Sequence, residues 1–260
     1  MRSDRVEIAA LKQRIARIAA VPAPDPLARV TLGNAGIDMA IGGGLARAAL
    51  HEVMAASQAD IAAATGFTAG LAARALGGRP LLWVRQTFVD AEAGWLHGSG
   101  LAELGIDPAL LLLVCARDAL AVLRAGNDAV RSGALGAVVI EPWGMPPRLD
   151  LTASRRLALA AESSGVMTLL LRVAAEPKPG AAATRWLVAA SPSRPREANA
   201  PGSPAFAVTL DRSKTGGAGR TWVLEWDRDR GCFDERGSAP LSGTVVPSPA
   251  DRSFAWRRAG

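Results

Sequence analysis

Few residues of this chain could do chemistry, and they are scattered. Glu141 closes the apolar run Ala137 to Ile140, where a strand-end carboxylate could hold a magnesium ion, but Pro142 and Trp143 follow at once. A lone carboxylate is not a phosphoryl-transfer site, which needs a phosphate clamp, a metal ligand and a group that orients the attacking water. His51 and His97 are isolated, and Cys115 and Cys232 stand far apart outside any CxxC spacing. Neither a zinc site nor a disulfide framework is expected from such a set. Arg148, Lys178, Arg212, Lys214 and Arg220 fall in stretches that read as loops or turns, where they could meet DNA or an acidic surface.

Composition narrows the possibilities. A chain of 260 residues, 49% of them hydrophobic, can bury a sizeable core and fits one α/β domain with appendages. The net charge of +6 and pI near 10.5 would attract phosphates or acidic partners. All the basic residues except Lys12, Lys178 and Lys214 are arginines, spread among alanines and glycines, so much of this charge reflects an arginine-rich composition. The longest apolar runs, Ala109 to Ala116 and Ala134 to Ile140, fall well short of the roughly 20 residues that cross a bilayer. Charges interleaved through the N-terminus leave no apolar segment of signal-peptide type, so a cytoplasmic protein is expected.

The elements that must position these residues can be read from the hydrophobic pattern. Residues 4–20 carry Ile8, Leu11, Ile15 and Ile18 in a seam of coiled-coil spacing, followed by the proline-rich stretch Val21 to Pro26. That reads as an amphipathic helix on a stiff tether, able to fold back on its own core or to dock on a partner. From residue 49, short apolar strands alternate with helical patterns. Strands are expected at Ala49 to Met54, Pro80 to Val84, Leu110 to Cys115, Ala137 to Ile140, Met167 to Leu171 and Trp186 to Ala190. Helices are expected at Asp60 to Leu76, around Glu92 to Leu104, at Asp118 to Arg131 and at Thr152 to Ser163. This alternation predicts a mostly parallel twisted sheet with helices on both faces. Farther on, Phe206, Val208 and Leu210 alternate opposite Trp222, Leu224 and Trp226, predicting an antiparallel hairpin with one buried face. Past Gly237 the composition turns to serine, proline and glycine and ends in Phe254-Ala255-Trp256-Arg257-Arg258. The aromatic and arginine residues Phe254, Trp256, Arg257 and Arg258 would suit a peptide anchor. The expected organisation is therefore a helix at 1–20, a linker at 21–29, a core at 30–190, a linker at 191–204, a hairpin region at 205–236 and a tail at 237–260.

The stretch Gly36 to Leu45, followed by Ala49-Leu50-His51-Glu52-Val53-Met54, resembles the entry to the ATP site of RecA-type recombinases. Where that family continues G-x-x-x-x-G-K-T, this chain has Ala55-Ala56-Ser57-Gln58-Ala59-Asp60-Ile61-Ala62. Glycines let successive N–H groups approach phosphate and the lysine reaches the β/γ oxygens, whereas Asp60 would repel a triphosphate. The resemblance also places a catalytic glutamate just after the strand at Leu81 to Val84, where Arg85-Gln86-Thr87 stands, and nucleotide-sensing asparagine and glutamine where Arg172 and Val173 stand. The two DNA-gripping loops it implies are reduced to Pro142 to Asp150 and Ala174 to Gly180. Arg212-Ser213-Lys214 matches a basic pair that in RecA filaments reaches the neighbour's nucleotide.

More narrowly, GGGLARAALHEV, LDLTASRRLALAAESSGV, AAATRW and LEWD, in that order, resemble the ImuA family of RecA-like accessory proteins. That resemblance implies a non-catalytic role, with no cofactor, in SOS-induced translesion DNA synthesis. The implied partners are RecA, ImuB and, indirectly, the error-prone DNA polymerase III α subunit, contacted in the cytoplasm near the nucleoid. Two other readings stay open at this point: a SulA-like inhibitor of cell division, and a DNA-binding recombinase paralogue that lacks ATPase activity.

Overall fold

The structure, a computed structural model, describes residue 25, residues 27–194 and residues 202–235. Strands β1 (Arg29–Val30) and β2 (Leu45–Ala46) pair antiparallel on either side of helix α1 (Ala35–Ala40). Asn34 caps α1, its side-chain oxygen accepting from the N–H groups of Gly36 and Ile37. The glycine turn then follows with Gly42, Gly43 and Gly44 at φ 78°, 92° and 115°. A Cβ on Gly44 would come within 2.8 Å of the Val30 carbonyl oxygen, so glycine is required for space as well as conformation.

The remaining strands form one nine-stranded sheet in the order β11-β10-β9-β8-β3-β7-β6-β4-β5. Its parallel part comprises β3 (Leu50–Ala55), β4 (Leu81–Gln86), β5 (Leu111–Ala116), β6 (Ala137–Glu141), β7 (Met167–Arg172) and β8 (Thr184–Ser191). Strands β9 (Ala205–Ser213), β10 (Thr221–Asp227) and β11 (Cys232–Glu235) extend it antiparallel. The mostly parallel α/β architecture expected from the βα alternation is thus present. Every residue of β3, β6 and β7 is buried, as strands covered on both faces should be, the few polar ones among them included.

Helix α2 (Ile61–Leu76) packs on one face, against β3, β6, β7 and β8, and also touches β9 and β11. Helices α5 (Ala119–Arg131) and α6 (Leu151–Ser164) cover the other face over β3, β4, β5, β6 and β7. Asp118 and Asp150 cap these two, accepting from the backbone N–H groups of Ala121 and Ala153. The hairpin pairs as its alternation requires, with Trp222 opposite Val208 and Leu224 opposite Phe206. Trp226, Phe233, Phe67 and Phe206 stack on the α2 side in a continuous aromatic cluster, for example with ring centroids of Trp226 and Phe233 4.9 Å apart. Beyond α6, toward β8 and β9, no helix among the described residues covers the second face.

Two expectations need correction. The single helix expected around Glu92 to Leu104 is two short ones, α3 (Val89–Ala93) and α4 (Gly98–Glu103). Gly94 at φ 84° ends the first, and its extended continuation leaves Trp95 largely exposed. The hairpin also acquires a third strand, β11, because Phe233 and Cys232 fold back beside Trp226 and Asp227.

Candidate functional site

In an α/β sheet of this type ligands sit beyond the carboxyl ends of the parallel strands, around the start of the helix that follows the first of them. Here that place is residues 55–62. The chain leaves β3 at Ala55 and turns through a short 3-10 segment at Gln58–Asp60 into α2. No residue in this turn has positive φ, so the backbone does not curl its N–H groups into an anion-binding nest. Ile61 is buried in the core instead of reaching outward, while Ala56, Ser57, Gln58, Ala59 and Ala62 are exposed. Asp60 takes up the local hydrogen bonds. Its carboxylate accepts from the Ser57 hydroxyl at 2.6 Å and from the Ala190 N–H at 2.8 Å, tying the turn to the end of β8. These two bonds, the Ser57 one first, hold the Asp60 carboxyl below the usual aspartate range. The mouth of the helix thus already holds an anion belonging to the chain.

Across the sheet end, Glu141 is fully buried. The Arg85 guanidinium lies against it, with Nε 3.2 Å from Oε2 and Nη2 3.2 Å from Oε1. Trp83 donates its indole N–H to Oε2 at 2.7 Å. Arg85 also meets Asp90 at 3.2 Å and donates to the Gly94 carbonyl. Burial pushes the Glu141 carboxyl up from its ordinary value, and the Arg85 charge and Trp83 hydrogen bond oppose that shift. Both carboxylate oxygens therefore point at donors, and a guanidinium stands where a divalent ion would have to approach. The residues beside it are spoken for as well: Gln86 accepts from the Trp143 N–H at 2.8 Å, and the Thr87 hydroxyl donates to Ala116. These residues do not fit a magnesium-bound nucleoside triphosphate. Among the described residues no three of His, Cys, Asp or Glu gather as a metal site.

On the opposite face a second buried ion cluster joins the central strands. Glu52 of β3 accepts from Arg185 of β8 at 2.6 Å and from Arg172 of β7 at 3.2 Å. Arg172 continues to the Gly144 carbonyl and Met145 Sδ, and Arg185 to Asp211 and the Lys178 carbonyl. Burial lowers the Arg172 pKa, opposed by the neighbouring Glu52 charge. Arg172 thus cross-links strands in the place where the resemblance put a nucleotide sensor. The Arg85 and Glu52 pairings were not anticipated from the sequence. Their signal there is a charged residue inside or at the end of an otherwise apolar strand pattern, at Glu52, Arg85, Glu141, Arg172 and Arg185.

The two shortened loops are fastened to each other. Trp143 bridges Val173 in parallel register, the Gly144 N–H donates to the Val173 carbonyl at 3.0 Å, and the Glu176 N–H donates to Met145 Sδ. The candidate basic residues are not gathered into one patch. Arg212 and Lys214 line a cavity against the outer side of α6, and Arg212 donates to the Gly180 carbonyl. Lys178 is exposed beside a small cleft over Glu52. Arg148 lines a separate cavity between α5 and α6, together with Arg124, Arg131 and Arg156. Arg220 lies over the Trp222 ring, 5.3 Å from its centroid, on the β9–β10 turn. Ile8, Leu11, Ile15, Ile18, Phe254, Trp256, Arg257 and Arg258 lie outside the described residues. No helix among the described residues is long and apolar enough to cross a membrane.

No protein-family model matches the sequence, and comparison with curated protein sequences finds no match. Among solved structures, the crystal structure of the RadB recombinase superposes with a TM-score of 0.52 at 14% identity, covering 76% of this chain and 96% of that one. The likeness establishes a fold of the RecA-like recombinase type.

Proposed function

We propose that this chain is a non-catalytic RecA-like accessory protein of SOS-induced translesion DNA synthesis, acting through protein contacts with RecA and ImuB. The observation that carries the reading is the Arg85 guanidinium set against buried Glu141, where phosphoryl transfer would need a metal ion. Asp60 at the mouth of α2 acts in the same direction, since a fixed anion there competes with phosphate. With both charges supplied by the chain itself, the scaffold offers other molecules its outer surfaces. The four-motif resemblance to the ImuA family supplies the biological setting: a cytoplasmic, nucleoid-associated role beside RecA and ImuB, and through ImuB the error-prone DNA polymerase III α subunit. The reading stands or falls on co-purification of the full chain with RecA and with ImuB, beside deletions of residues 1–20 and 237–260. Loss of RecA with the first deletion and weakened ImuB with the second are expected; a full-length chain that retains neither partner overturns it.

A second reading, DNA contact without ATP turnover, draws on Arg124, Arg131, Arg148 and Arg156 around the cavity between α5 and α6. Gel shifts that persist at physiological salt would favour it, because binding by counterion release alone collapses as salt rises.

A further inference from the structure

The outer side of α6 bears an apolar and cationic stripe that nothing among the described residues covers. Leu151, Arg155 and Leu159 follow at steps of four and so share one helix face. Leu151 is 39% exposed and Leu159 63%, while Ser154, Leu157, Ala160 and Ala161 fill the inward face. Beside this stripe the Pro179-Gly180-Ala181 segment and the end of β9 enclose a cavity of about 650 Å³, with Arg212 and Lys214 on its far wall. The groove opens where helical cover of this sheet face ends. Strands β8 to β10 continue beyond it with half-buried residues such as Leu187, Ala189, Ala207 and Val223.

We propose that this groove receives an acidic amphipathic segment of another protein, laid alongside α6 with apolar side chains on Leu151 and Leu159 and carboxylates toward Arg155, Arg212 and Lys214. Charge selects the occupant: three cations face the cavity against the single carboxylate of Glu162. The chain's own undescribed ends are the wrong sign. Arg2, Arg5, Lys12, Arg14 and Arg17 outnumber Asp4 and Glu7 at one end, and Arg236, Arg252, Arg257 and Arg258 outnumber Asp251 at the other. The exposed leucines favour a peptide over a nucleic acid, whose phosphates would leave them without apolar partners. This deepens the protein-binding reading above and rests on it.

The test uses the purified full chain and a fluorescein-labelled synthetic helix that spaces leucines at every third and fourth position between glutamates. Two further probes are its counterpart with serine for leucine and a labelled oligo-dT. Anisotropy should show binding of the leucine peptide, weakened about tenfold by Leu159→Ser and by Arg155→Glu and unchanged by Arg131→Ser in the other cavity. Both affected positions are exposed, so unaltered melting curves confirm that the variants fold. Equal binding of the serine peptide, no loss on Leu159→Ser, or oligo-dT binding that Arg155→Glu abolishes while the leucine peptide fails to bind would each overturn the groove assignment. Retained co-purification with RecA or ImuB in such a case would leave the accessory-protein reading standing.

Discussion

Arg85 and Glu141, side by side at the ends of β4 and β6, form a buried ion pair with Nε–Oε2 and Nη2–Oε1 separations of 3.2 Å. Strands β4 and β6 are adjacent and in register at these two residues, so the pairing follows from the sheet itself. A side chain on one strand thereby neutralises a carboxylate on the next without any external ion.

Replacing Arg85 alone should be costly. Arg85→Met strands the Glu141 charge in the core and is expected to lose about 3–5 kcal/mol of unfolding free energy in urea, whereas Arg85→Met/Glu141→Gln should recover much of it. In the single variant the Glu141 carboxyl rises further above its unfolded value once the opposing cation is gone. A folded pKa above the unfolded one gives stability that is present at low pH and lost as pH rises through it. Arg85→Met should therefore be more damaging at pH 8 than at pH 5, relative to the wild type at each pH. A pH-independent difference would contradict the assignment.

Magnesium and ATP together are expected to leave the melting temperature unchanged. A ligand at a hundredfold its Kd would stabilise by about 2.7 kcal/mol, a clear shift in a thermal melt. Saturable, magnesium-dependent stabilisation with phosphate release would reverse the functional reading.

His51 supplies a separate pH dependence. It is buried between Thr184, whose hydroxyl lies 2.8 Å from Nδ1, and the Ala46 carbonyl, 2.8 Å from Nε2. A carbonyl can only accept, so Nε2 carries the proton and Nδ1 accepts from Thr184. Burial brings the His51 pKa from 6.5 down to about 4. A folded pKa below the unfolded one gives stability present above 6.5 and lost as pH falls toward 4. Urea titrations should show a loss of about 2 kcal/mol between pH 7 and pH 5 from this group. His51→Gln should flatten that slope; an unaltered slope would acquit the histidine.

Gly70 tests how closely the antiparallel extension is married to the core. A Cβ at this position of α2 would come within 2.5 Å of Phe233 Cζ and 3.1 Å of Trp226 Cζ3. Gly70→Ala should therefore destabilise by about 1–3 kcal/mol despite alanine's better helix propensity. A stabilised variant would mean that β10 and β11 yield easily.

Much of the fold was legible because buried parallel strands leave unbroken apolar runs, as at Ala137 to Ile140, while amphipathic helices leave a helical period, as at Asp118 to Arg131. The break between α3 and α4 was not, since Gly94 interrupts a pattern that is otherwise helical on both sides. β11 was hidden for another reason. Cys232 and Phe233 give too short an apolar run, and their strand state depends on pairing with Trp226 and Asp227. At the candidate site, the missing glycines and lysine of residues 55–62 could be read directly. What took the place of the absent groups could not be: Arg85 and Glu141 are far apart in sequence, and only strand register brings them together. Asp60 reads as a repulsive charge in sequence, yet its bonds to Ser57 and Ala190 make it a structural tie.

A cation covalently part of the chain has no dissociation rate. With Arg85 beside Glu141, that carboxylate keeps its counter-ion whatever the magnesium concentration around the protein. On the accessory-protein proposal, control would then lie in how much of the protein is made and degraded, not in a bound ligand.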